Sequence, residues 1–252
     1  MRSTFVRRSV AAASAVSLAV LATACSKSED KKEDAKSSAP AASAPAAGGA
    51  KGKTDAELAK LIVAQGDVAD HTFKEATPAE AAAGAAATSD KAECKVLVQA
   101  QSMGALGTSS GAARTKAVAT PKPGAGSNPE DAVKAALGAN ATAVTLTSYD
   151  GKGAEEAFAS VKTAGTACAG GYSATQAGET GKVTAVAPGA AVTAGDEAAA
   201  YTVTGDADGM PITTQLVVVR KGNTLATFSS ISLAGKAEQP KALIEAQVKK
   251  LG

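Results

Sequence analysis

The sequence predicts an α+β domain, with helices packed on an antiparallel sheet and one disulfide. Three observations predict it. In the C-terminal third, four β-branched runs follow one another with short Gly/Asp/Asn turns between them. Upstream, apolar residues recur at three- and four-residue spacing, the period of a helix with one buried face. Two cysteines, Cys94 and Cys168, stand far apart in a chain with few aromatic rings. Consecutive strands with short turns pair antiparallel, and helices that do not alternate strictly with strands give α+β rather than α/β.

The chain of 252 residues opens with Arg2, Arg7 and Arg8, followed by an uncharged stretch from Val10 to Ala24. As a helix those 15 residues span about 22 Å, short of the roughly 30 Å hydrocarbon core. They read as a signal peptide, residues 1–24, rather than a membrane span. The boundary Leu21-Ala22-Thr23-Ala24-Cys25 resembles the lipobox of bacterial lipoproteins. That resemblance implies lipidation of Cys25, cleavage just before it, and anchoring on the extracytoplasmic face of the cell membrane. Ala22 stands where the family more often has Leu. Arg7-Arg8 lacks the apolar pair that usually follows a twin-arginine signal, which favours the general export route.

Residues 25–53 are the lipidated cysteine and a tether. Ser26 to Lys53 runs from charged to Ser/Ala/Pro-rich to Gly-rich and holds no large apolar side chain. It cannot bury enough surface to offset the entropy of ordering. As a flexible coil its r.m.s. span is about 30 Å. The whole chain carries 26 Lys+Arg against 24 Asp+Glu; loss of the three leader arginines leaves 23 against 24, a net charge near −1. Such a balance does not indicate a nucleic-acid surface.

Residues 54–252 form one domain. Outside the cytoplasm thiols oxidise, so with Cys25 acylated the remaining pair, Cys94 and Cys168, is expected as a disulfide. Closing a loop of about 75 residues is worth roughly 4.5 kcal/mol in the chain-entropy model. The domain holds only Phe73, Tyr149, Phe158, Tyr172, Tyr201 and Phe228 as aromatics, so its core is mostly Ala, Val, Leu and Ile.

The elements follow in order. Thr54-Asp55-Ala56-Glu57 is a capping box opening a helix through Leu58, Leu61 and Ile62. Gly66-Asp67 ends it, and a strand is expected near Ala69 to Ala76. Cys94, Leu97, Val98 and Gln101 share a helical face. Residues 104–128 read as a Gly/Ser/Thr/Pro-rich loop. Asn128-Pro129-Glu130-Asp131 starts a helix that Gly138 stops. Ala143 to Tyr149 is β-branched and reads as a strand. Ala154, Ala157, Phe158, Val161, Gly165 and Cys168 form one helical stripe, so two helices each offer a cysteine from an apolar face. Val183–Ala187, Ala199–Gly205, Ile212–Arg220 and Thr224–Leu233 make the meander, and Pro240 starts a last helix with Leu243, Ile244, Val248 and Leu251.

The succession of the Cys94 helix, "LTSYDGKGAEEAFASVKTAGTACAGGY", "AGDEAAAYTV" and "LVVVRKGNTLATF" resembles actinobacterial secreted lipoproteins related to the extracellular sensor domain of PknH-type kinases. The resemblance spans roughly residues 54–250. It implies an α+β sensor-like domain with an antiparallel sheet, a structural disulfide and a ligand cleft. The kinase-linked relatives carry more cysteines than the two available here.

Catalytic and metal signatures do not assemble. Gly107-Thr108-Ser109-Ser110-Gly111 matches Gly-x-Ser-x-Gly, but the nucleophile elbow needs a strand before it and a helix after it, and the single histidine, His71, lies upstream. Ser28-Glu29-Asp30-Lys31 matches Ser-x-x-Lys within the tether. Gly205-Asp206-Ala207-Asp208-Gly209 has too few oxygens for a calcium loop and reads as a hairpin turn. Arg220, Asp196 and Glu197 read as solvated charges at turns. No CxxC, zinc spacing or phosphate loop occurs, and no catalytic residue, metal or cofactor is expected.

The expected function is a lipid-anchored, non-catalytic binding or sensor-like domain. Its partners are the membrane, through the N-terminal lipid, and an unidentified small molecule, lipid or envelope protein. The alternatives are a transporter-linked solute-binding lipoprotein, which usually has two lobes, a structural or assembly lipoprotein of the envelope, and an envelope hydrolase using Ser109.

Overall fold

The structure, a computed structural model, describes residues 50–252 except 122–127, 208 and 235. The expected leader 1–24, Cys25, Ser28–Lys31 and the tether up to residue 49 lie outside the described residues. The described residues belong to one compact unit, Pro45–Gly252. Among them no helix is long and apolar enough to cross a membrane.

In chain order the elements are α1 (Asp55–Leu61), β1 (His71–Glu75), α2 (Pro78–Ala86), β2 (Thr88–Ser89), α3 (Lys95–Gln101), β3 (Gly111–Ala119), α4 (Pro129–Gly138), β4 (Asn140–Ser148), α5 (Gly153–Ala167), β5 (Tyr172–Gln176), β6 (Glu179–Pro188), β7 (Glu197–Ala207), β8 (Met210–Lys221), β9 (Thr224–Ser232) and α6 (Lys241–Leu251). The strands form one nine-stranded sheet in the order β1-β3-β4-β9-β8-β7-β6-β5-β2. Its pairings are all antiparallel, and β6 to β9 are the expected meander.

Both faces of this sheet are covered at its centre. On one face α3 and α5 bring Leu97, Val98, Phe158 and Val161 against Leu216, Val218 and Leu225. On the other, α1 and α6 bring Leu58, Leu243 and Ile244 against Val144, Leu146, Val217, Val219 and Phe228. Successive side chains on a strand point to opposite faces. The unbroken apolar run Leu216-Val217-Val218-Val219 follows, because a strand covered on both sides has no solvent face for polar residues.

Cys94 closes a 3₁₀ turn, Ala92–Cys94, at the start of α3, and Cys168 is the residue after α5. Their Cα atoms are 5.8 Å apart and the sulfurs are bonded. Both half-cystines are fully buried within the first core.

α1 and α6 are joined by a polar clasp. Val63 N donates to Gln247 Oε1 at 2.9 Å, and Gln247 Nε2 donates to Leu61 O at 2.9 Å. Gln247 is fully buried, and it satisfies backbone groups that the end of α1 leaves open.

Two segments differ from the sequence expectation. Residues 111–119, expected within a loop, form β3. Gly, Ala and Lys are poor strand formers, but β3 is flanked by β1 and β4, and hydrogen bonding on both sides overrides propensity. α2 was not anticipated, although Thr77 and Glu80 make a full capping box with Pro78 at the first turn. At the other end of the expected tether, Ala50–Lys53 lie on the domain. Gly52 N donates to Asp150 Oδ1 at 2.7 Å, Lys53 N to Ser148 Oγ at 3.0 Å, and Asn223 Nδ2 to Lys51 O at 3.0 Å. The chain therefore joins the sheet where β4 ends and β9 begins.

Candidate functional site

The helices α3 and α5 cover only part of their face of the sheet. Beyond them, over β1, β3, β4 and β9, the same face is open. Register places Thr72, Val118, Ala141 and Ile231 side by side in one row, and Lys74, Lys116, Ala143 and Ser229 in the next. Ala141, Ala143 and Ser229 are small, so the middle of the floor is low, while Val118 and Ile231 stand above it. The result is a groove of about 500 Å³, with Gln101 at the end of α3 on its margin. Val118 is 43% exposed and Ile231 40% exposed, high values for branched side chains on a sheet face. No helix among the described residues seats on them.

The charged groups of the groove are unbalanced. Lys74 and Lys116 are directly opposed across β1 and β3. Like charges so placed repel unless something neutralises them. Lys116 pairs with Glu80 of α2. That pair, with the Thr77 cap, holds the Glu80 carboxyl down at about 2. Lys74 Nζ has no ion pair or hydrogen bond among the described residues. One row further, Arg114 is half-buried on the same face, and burial lowers its pKa. Arg114 also feels the Asp55 carboxylate, so the cation left without a counter-charge on this side of the groove is Lys74.

A second cavity, of about 700 Å³, lies on the opposite face beside the segment 236–240 that leads into α6. Its polar walls are largely engaged with each other. Asn140 Nδ2 donates to Glu238 O at 3.2 Å and Asn140 Oδ1 accepts from Glu238 N at 3.1 Å. Thr202 Oγ1 donates to Gln215 Oε1 at 3.2 Å, and Gln239 Nε2 donates to Ala190 O at 2.9 Å. These bonds close part of that wall on itself.

The other residues singled out in the sequence are spread through the fold. Ser109 precedes β3 and does not sit between a strand and a helix. His71 pairs with Ala119 at the far end of β3, about 27 Å along the strand from the end that follows Ser109. The two residues are outside hydrogen-bond reach, and His71 Nδ1 lies 2.8 Å from Ala69 O. Asp206 Oδ1 accepts from Gly209 N at 2.7 Å, closing the β7–β8 hairpin; Asp208 lies outside the described residues. Arg220, Asp196 and Glu197, read as separate solvated charges, come together. Arg220 sits 2.9 Å from Glu197 and 3.4 Å from Asp196, with its side chain only 16% exposed. The cluster ties the start of β7 to β8. Among the described residues no group of three or more His, Cys, Asp or Glu side chains could hold a metal ion.

Sequence reasoning did not find the groove. Its floor comes from β1, β3, β4 and β9, and one of these, β3, falls in a segment whose composition reads as loop. The available signal was the alternation Arg114, Lys116, Val118 against Ala113, Thr115, Ala117.

No family model and no curated protein matches the chain. Among solved structures it is similar to the extracellular domain of PknH from Mycobacterium tuberculosis, at 14% identity and a TM-score of 0.45, covering 80% of this chain and 97% of that one.

Proposed function

We propose that the protein is a lipid-anchored domain on the extracytoplasmic face of the cell membrane, that it binds rather than transforms its ligand, and that the ligand seats in the groove over β1, β3, β4 and β9. The groove itself carries this reading: an open, small-floored trough with apolar walls and an unneutralised lysine, beside a face otherwise sealed by disulfide-linked helices. Ligand sites are concave and mainly apolar, with a few convergent polar groups. Anchoring rests on the Arg-led apolar leader and the small residues before Cys25. One sheet runs through all the described strands, with no second lobe among them to close by a hinge, which favours a binding module over the transporter-linked alternative.

Native mass spectrometry of the protein isolated from its own host tests the binding reading. A small molecule retained by the native chain and lost in Ala143→Leu, which fills the trough, is the expected result. Equal retention by both chains, or none by either, removes the groove as the site. For the anchor, intact mass should show a diacylglyceryl group on Cys25, and Cys25→Ser should leave the membrane fraction.

A further inference from the structure

We infer that the groove takes a single-chain anionic lipid, a free fatty acid, with its carboxylate at Lys74 and Lys116 and its alkyl chain over Ala141, Ala143 and Ile231. The inference rests on the groove being the ligand site and names the class of ligand.

Shape and charge argue for it. The floor is two side-chain rows wide, which is about 7 Å along the strands, the width of one alkyl chain and not of two. Across the strands it runs from β1 to β9, about 14 Å at sheet spacing. Along that length its chemistry changes. At the β1–β3 end stand Lys74 and Lys116, with Arg114 one row away; at the β4–β9 end stand Ala141, Ala143 and Ile231. A ligand that matches both ends is charged at one end and apolar over the rest. Its charge is negative, because the groove is lined by two cations, Lys74 and Lys116, and the one carboxylate that meets them, Glu80, is already paired with Lys116. Glu75, the next acid on β1, points to the opposite face by strand alternation. A carboxylate can neutralise Lys74 and relieve its opposition to Lys116.

Pro45–Gly252 is one compact unit holding both cores and the disulfide, so it can be produced apart from the first 44 residues. The test is calorimetric titration of that unit with dodecanoate, dodecanol and dodecyltrimethylammonium below their micelle concentrations, on the native chain, Lys74→Glu and Ala143→Leu. Thermal melts confirm that each variant is folded; Lys74 is exposed and Ala143 half-exposed.

Dodecanoate should bind, dodecanol more weakly, and the ammonium weakest. Lys74→Glu should weaken dodecanoate about tenfold while changing dodecanol by less than about twofold. Ala143→Leu should abolish both. If dodecanol binds as tightly as dodecanoate, or Lys74→Glu leaves dodecanoate unchanged, the anionic class is wrong and the groove remains a ligand site. If none of the three probes is sensitive to Ala143→Leu, the fatty acid is excluded, and groove occupancy then stands or falls with the retained-ligand experiment. If sedimentation shows a dimer that Ala143→Leu dissociates, the groove is covered by a second copy and the inference fails.

Discussion

Tyr149 illustrates how single polar atoms hold this fold. Its hydroxyl donates to Leu106 O at 2.7 Å and lies 3.0 Å from Thr147 Oγ1, tying the segment after α3 to the end of β4. Burial pushes its phenol up to about 12, and that of Tyr172 also to about 12. A folded pKa above the unfolded value of about 10 stabilises the protein below pH 10 and ceases to do so as pH rises through 12. Absorbance titration near 295 nm should therefore show Tyr149 and Tyr172 ionising only near pH 12 or with alkaline unfolding. Tyr149→Phe leaves the Leu106 carbonyl unpaired and should cost about 1–3 kcal/mol in denaturant unfolding. Gln247→Leu orphans the backbone at both Val63 and Leu61 and should cost about 2 kcal/mol or more by the same assay.

Elements here meet through particular close approaches. A Cβ added at Gly84 of α2 would lie 2.0 Å from the backbone carbonyl oxygen of Ser102. Gly-to-Ala in a helix interior ordinarily gains up to about 1 kcal/mol; at position 84 the clash reverses the sign, and Gly84→Ala should lower the melting temperature. α2 also brings Glu80 to Lys116. The Glu80 carboxyl falls from its usual 4.5 to about 2, led by its hydrogen bond to Lys116. A depressed carboxyl contributes its stabilisation in full above about pH 4.5 and loses it as pH falls toward 2. Glu80→Gln should thus lower stability at neutral pH and flatten part of the acid limb between those values, because the variant lacks the contribution that the native chain loses there. A parallel acid limb in native and variant chains would show that the pair does not contribute.

At the scale of the whole molecule, the disulfide and the two-faced sheet divide the work. Cys94 and Cys168 are 74 residues apart and link the two helices of one core. In a domain whose described rings are so few, the bridge replaces area that aromatic side chains would bury. Replacing both cysteines by Ser should cost about 2–5 kcal/mol, read from the denaturant midpoint. One of the helices it joins, α3, ends at Gln101 on the margin of the groove. The reduced protein should accordingly lose any ligand bound there at lower denaturant than the native protein does.

Much of this architecture is legible in the residues themselves. The Thr54 capping box, the Asn128-Pro129 start, the stripe ending in Cys168 and the four meander strands are local signals, decided by backbone caps and by side-chain period within one segment; the Thr77 box before α2 is a local signal of the same kind that went unread. The disulfide partner followed from having two cysteines left once Cys25 is assigned to the lipid. Non-local effects were beyond that reach. β3 is a strand because β1 and β4 lie on either side of it, Arg220 is half-buried and paired because Asp196 and Glu197 meet it at the start of β7, and Gln247 is a clasp because α1 ends beside it. The groove belongs to the same class: its small floor, apolar walls and opposed lysines come from four strands brought together by pairing, and no single segment of the chain carries that pattern.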